Sequence, residues 1–180
     1  MYIGLVRHFK VDCNAQNFMT SNDFEKWVIK YDSSDVIENK FETQNIKWDK
    51  CFSSDLPRAI KTSETIFKGE IIKTQLLREV PLSPICETKI KLPHRFWCIV
   101  ARIAWNFHHK SQVETKKDTQ KRINEFLNSL NMELDTNILI VCHGFFMRVI
   151  ERELKRRGFR GQNIPNRPIA KNGTLYLYKK

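Results

Sequence analysis

Tyr2-Ile3-Gly4-Leu5-Val6-Arg7-His8 opens the chain as an apolar run that stops on a cation and an imidazole. Folded as a buried strand, it delivers Arg7 and His8 to the C-terminal edge of a sheet. In open α/β sheets ligands bind at that edge, because loops and helix N-termini gather there with unpaired donors. Far along the chain Ile138-Leu139-Ile140-Val141-Cys142 does the same, ending on His143-Gly144 before a helical pattern begins. A single histidine at a strand end is ordinarily structural, packed and hydrogen-bonded. Two strands that end alike point to a shared site.

Working outward, Ser21 starts a helical pattern with Phe24, Trp27, Val28 and Tyr31 on one stripe, and Ser21 itself is placed as its cap. Asp32 to Asp49 is polar and irregular. A short strand over Lys50 to Ser53 leads into a helix over Asp55 to Lys68, with Pro57 suited to its first turn and Gly69 to its end. Ile71 to Leu77 reads as the next strand, closing on Arg78-Glu79. Residues 93–110 form an aromatic and basic helix, with Phe96, Trp97, Val100, Ile103, Ala104 and Phe107 assigned to one face. His94, His108 and His109 belong to its surface. An amphipathic helix is expected from Thr115 to Leu134, and another from Phe145 to about Arg157. Asn172-Gly173 marks a turn before the alternating strand Thr174 to Tyr178, which closes one edge of the sheet.

A chain of 180 residues suits one domain over 1–180 with a core that needs no disulfide or metal. The five cysteines, at 13, 51, 86, 98 and 142, include no Cys-x-x-Cys pair, which argues against a zinc site. No metal or cofactor is expected. The N-terminus enters a strand without the features of a signal peptide, and no apolar run reaches the roughly eighteen residues a bilayer span requires. A cytoplasmic protein with no membrane partner is the expectation. Charge is uneven: residues 1–90 carry 13 Lys+Arg and 13 Asp+Glu, residues 91–180 carry 18 and 7, so the +11 lies in the second half. Such a field attracts anionic ligands. The basic run from Arg148 to Arg160 has no nucleic-acid motif beside it, so it reads as a solvated face and nucleic acid is not an expected partner.

Between the two histidine strands lies Ser53-Ser54-Asp55-Leu56-Pro57-Arg58-Ala59, with Thr62 one turn on and Glu79 beyond. Together with Arg7-His8 and His143-Gly144, in this order and spacing, the run resembles the histidine phosphatase superfamily, the phosphoglycerate-mutase-like proteins. The resemblance covers residue 1 to about 150 and the last strand. It implies a three-layer α/β/α sandwich with a mostly parallel central sheet, and a variable cap over about 80–112 that shapes substrate choice. It makes His8 a nucleophile, Arg7, Arg58 and His143 a clamp on the phosphoryl oxygens, and Glu79 a proton donor. Asn14, Phe9 and Gly144 become candidates for substrate contact. The implied activity is a metal-independent phosphatase acting on a small phosphomonoester through a phosphohistidine. A phosphoglycerate-type mutase and an inactive binding protein are the alternatives.

The residue types suit that chemistry. Phosphoryl transfer spreads charge over three equatorial oxygens, which arginine's planar fork meets with paired donors. Neighbouring arginines also disfavour an imidazolium, leaving His8 a free lone pair. The chain departs from the family at position 9, where Phe9 replaces the usual glycine, followed by Lys10. A polar loop nearby and the aromatic block over 93–107 place the Phe9 ring over the pocket mouth, where it would select leaving groups.

Overall fold

The computed structural model describes residues 1–42, 44–130, 136–164 and 170–180. In chain order the elements begin with β1 (Tyr2–Arg7), β2 (Lys10–Val11), β3 (Phe18–Met19), α1 (Ser21–Ser33) and β4 (Val36–Ile37). There follow β5 (Lys50–Ser54), α2 (Pro57–Ile66), β6 (Ile71–Thr74), a 3₁₀ turn (Gln75–Leu77), β7 (Leu92–Pro93) and α3 (His94–Asn106). The chain closes with α4 (Lys116–Ser129), β8 (Ile138–Cys142), α5 (Gly144–Arg156), β9 (Arg160–Gly161) and β10 (Leu175–Lys179).

One six-stranded sheet runs in the order β6-β5-β8-β1-β10-β9. Its first four strands are parallel, and β10 and β9 join antiparallel. Because side chains alternate along a strand, each central strand feeds two layers. Ile3 and Leu5 of β1, with Ile138, Ile140 and Cys142 of β8, pack against Phe126 of α4 and Phe146 and Ile150 of α5. Val6, Leu139 and Val141 face the other way, against Ala59 of α2 and Trp48. Helices therefore cover both faces, giving the three-layer α/β/α sandwich. A third cluster, Met19, Phe24 and Trp97, joins α1 to α3 outside the sheet.

Several expectations are corrected by local chemistry. The cap of α1 is Thr20, whose hydroxyl accepts from the Asp23 amide while the Asp23 carboxylate accepts from the Thr20 amide. Ser21 instead exchanges hydrogen bonds with the backbone of Thr88, tying α1 to the segment before α3. The strand expected over Ile71 to Leu77 ends at Thr74, whose hydroxyl accepts from the Leu76 amide and turns the chain into the 3₁₀ turn. Helix α2 begins at Pro57, after Leu56 at its N-cap, and closes at Ile66. Helix α4 stops at Ser129, and the rest of its expected range, 131–134, lies outside the described residues. The aromatic block does not share one face. Trp97 and Ala104 are buried, whereas Phe96, Ile103 and Phe107 are exposed.

Gly4 sits where the Trp48 indole crosses β1, and a Cβ there would lie 2.5 Å from the ring and 2.8 Å from Leu175. Both neighbours are packed and cannot retreat. Gly4→Val is expected to lower stability by roughly 1–3 kcal/mol or more through overpacking, read as a lower urea midpoint at unchanged m-value.

Candidate active site

The parallel register sets Arg7 opposite Cys142, so the next residues, His8 and His143, leave the sheet side by side. The His8 amide donates to the Cys142 carbonyl at 3.0 Å, extending the ladder by one bond. The two rings lie 5.2 Å apart between centroids and are tilted by 53°. Strand β5, the other neighbour of β8, ends at Ser54, whose hydroxyl lies 2.8 Å from His143 Nε2. Arg58, in the first turn of α2, reaches back so that its Nε donates to His143 Nδ1 at 3.2 Å.

These contacts assign the tautomers. A guanidinium only donates, so His143 Nδ1 is the acceptor and its proton is on Nε2, directed at Ser54. His8 Nδ1 lies 2.6 Å from the Phe9 carbonyl, which only accepts, so Nδ1 carries the proton. His8 Nε2 is left with the lone pair. Both rings stay neutral well below the usual histidine range. Burial is the largest cause for each, ahead of Arg58 and Arg7 for His8 and of Arg58, His8 and Arg7 for His143. The arginines alone were expected to neutralise His8; desolvation does more.

Arg7 donates from Nη1 to the Ala170 carbonyl at 2.8 Å, and its buried Nε has no hydrogen-bond partner among the described residues. Arg58 is 1% exposed and is engaged on three sides: by His143, by the Asp32 carboxylate at 2.7 Å and by the Tyr31 ring at 5.1 Å. The sequence pattern puts Tyr31 on the inward stripe of α1 and Asp32 in the polar segment after it, and marks neither as a partner of Arg58. It marks Asn172-Gly173 only as a turn. Asn172 Nδ2 donates to the carbonyls of His8 and Phe9, and the Gly173 amide to that of Arg7, so the turn clasps the histidine segment. Thr62, within the motif run, accepts from the Phe9 amide and donates to the Arg58 carbonyl.

Phe9 is corrected outright. Its ring is fully buried, against the spot where a Cβ on Gly173 would come within 2.8 Å of it, and it does not lie over the pocket mouth. Gly173, at φ 65°, is therefore needed both for its left-handed backbone and for this contact. Glu79 lies at the start of α5, where it accepts from the amides of Phe145, Phe146 and Val80, with Arg102 at 3.9 Å. Gly144 is the buried first residue of that helix. Asn14 is exposed in the loop before β3, and none of the cluster's hydrogen bonds described above reaches it. Cys142, directly before His143, is a buried thiol held above its usual range by burial, unsuited to act as a thiolate. Among the described residues no group of three or more His, Cys, Asp or Glu could hold a metal ion.

Comparison with known proteins adds a family. The model of the histidine phosphatase superfamily (branch 1) matches residues 39–178. No curated protein matches the sequence. Among solved structures, the product of open reading frame Rv3214 of Mycobacterium tuberculosis is similar at a TM-score of 0.61 and 12% identity, over 98% of this chain and 89% of that one. A phosphoglycerate mutase from Thermus thermophilus gives 0.51 and 19%, over 97% and 91%. A provisionally assigned alpha-ribazole-5'-P phosphatase from Escherichia coli gives 0.53 and 18%, over 86% and 79%. At such identities the likeness is one of fold. The family match covers most of the chain, with the strands ending at Ser54 and His143 inside it, and the chain belongs to the histidine phosphatase superfamily, branch 1.

Proposed function

We propose that the protein is a metal-independent phosphatase that hydrolyses a small phosphomonoester through a phosphohistidine on His8 Nε2. The observation that carries this reading is the His8 Nδ1–H held by the Phe9 carbonyl, which leaves a neutral ring with its lone pair on the other nitrogen between two arginines. Phosphate oxygens would take donors of the Arg7 guanidinium, the remaining donors of Arg58 and the Nε2–H of His143, which would turn from Ser54. Such fixed donors stabilise the charge that spreads in the transition state.

In the first step His8 Nε2 forms a bond to phosphorus as the bond to the leaving oxygen breaks. That oxygen keeps the electron pair and takes a proton from a carboxyl, for which Glu79 is the candidate. In the second step water attacks phosphorus and the N–P bond breaks. Its electron pair returns to His8 and the water's proton passes to Glu79, ready for the next cycle. Throughout, the Phe9 carbonyl faces the Nδ1 proton and balances the positive charge of the phosphorylated ring. A backbone carbonyl does this for any side chain at position 9. Phe9 therefore gives no support to the binding-protein alternative, and the glycine of the family is not required for the chemistry. The single domain over 1–180, with residues 80–112 as a cap beside the site, is part of the same proposal.

Phosphate release from a panel of monoesters should persist in EDTA and be abolished in His8→Ala, with an unchanged far-UV spectrum. Undiminished release by that variant refutes the mechanism.

Phe9→Ala should cost roughly 3–5 kcal/mol of stability by opening a core cavity and leave the ratio of kcat/KM values across the panel as it was. A shifted substrate preference at unchanged stability would place the ring in the pocket after all.

Because the folded His8 and His143 stay neutral below the unfolded value of about 6.5, the unfolded chain binds more protons as pH falls through it. Stability should therefore be full above that pH and decline below it, by up to about 1.4 kcal/mol per pH unit for each histidine. The acid limb of kcat/KM, set by protonation of His8, should likewise lie below the ordinary histidine range. A limb at or above pH 7 contradicts a neutral buried nucleophile.

A further inference from the structure

Helix α3 is apolar on two sides. Trp97, Ala101, Ala104 and Trp105 face inward and are buried, with Trp105 edge-on to Phe145 at 5.0 Å. On the outer side Phe96, Ile99, Ile103 and Phe107 follow one another at intervals of three or four residues and are 42%, 55%, 52% and 75% exposed. Exposed apolar side chains scattered singly are ordinary, but a continuous stripe of four marks a contact surface. Ile90 before the helix and Val113 after it are exposed as well.

The same stretch has a one-sided charge. Between Glu87 and Glu114 there is no acidic residue, while Lys89, Lys91, Arg95 and Lys110 are all exposed. Its remaining cation, Arg102, turns inward to the Val80 carbonyl and the Phe145 ring. An apolar strip with a cationic rim restricts the occupant. A second copy of this chain would bring two cationic rims together in a molecule of net charge +11. A nucleic acid would use the rim and leave Phe and Ile in water. An anionic lipid surface satisfies both, since the apolar side chains enter the boundary between headgroups and acyl chains while lysines meet lipid phosphates.

We propose that the outer face of α3, from Phe96 to Phe107, docks the protein in the plane of an anionic membrane. At about 20 Å the helix lies on the bilayer rather than crossing it, and no helix among the described residues is long and apolar enough to cross. This departs from the sequence expectation of no membrane partner. The proposal is independent of the catalytic reading.

Co-sedimentation of the full chain with phosphatidylcholine vesicles, with and without phosphatidylserine, tests it. Binding should require phosphatidylserine and weaken with salt. It should fall by more than about tenfold in Ile103→Glu, an exposed site where folding is kept, while Ile29→Glu, exposed on α1, binds as wild type. If Ile103→Glu fails to fold, Ile99→Ser reads the same quantity. Three results overturn the proposal: no uptake by phosphatidylserine vesicles, uptake unchanged by the stripe substitutions, or a dimer in sedimentation equilibrium that the stripe substitutions convert to monomer.

Discussion

Parallel pairing of β1 with β8 is the constraint on which the rest of this molecule depends. It places His8 and His143 together at one sheet edge, and β5 on the far side of β8 adds Ser54 and, through α2, Arg58. Slipping β1 by one residue would exchange its two faces, sending Ile3 and Leu5 to the layer of α2 and Val6 to that of α4 and α5. The core therefore protects the register, and the register holds the histidines. Gly4 takes part from below, since the strand can lie under Trp48 only where it carries no side chain.

Removing the cluster from water decides its protonation. Arg58 is a fixed cation with almost no solvent contact, and such a charge is tolerated only when paired. Asp32 supplies the countercharge and the lone pair of His143 takes another donor, so the guanidinium is oriented as well as neutralised. The two imidazoles have no comparable compensation for a positive charge and stay neutral. Their inner hydrogen bonds to Phe9 and Arg58 then determine which nitrogen each ring turns outward. Position 9 contributes through its carbonyl, which any side chain there would leave in place.

At the other end of the site the start of α5 would present unpaired amides beside His143. The Glu79 carboxylate accepts two of them, and Arg102 from α3 stands behind it. Helix α3 thereby links the candidate chemistry on its inner side to the exposed apolar stripe on its outer side.

The sequence by itself determined the α/β alternation and the two histidine strand ends. These are local properties of hydrophobic period, turn residues and motif spacing, and they survive without knowledge of partners. Only the tertiary structure decided where the Phe9 ring goes, because the room for it is made by Gly173 at the opposite end of the chain. It alone brought Tyr31, Asp32 and Asn172 to the cluster, since helix periodicity labels a residue as inward-facing without saying what it meets. In α3 the same limit applies: apolar residues all round a helix look like one buried element. Packing on Phe24 and Phe145 from one side buried Trp97 and Trp105 and left Phe96, Ile99, Ile103 and Phe107 in water. Burial and protonation both depend on neighbours distant in sequence, and their identity is a property of the packed fold.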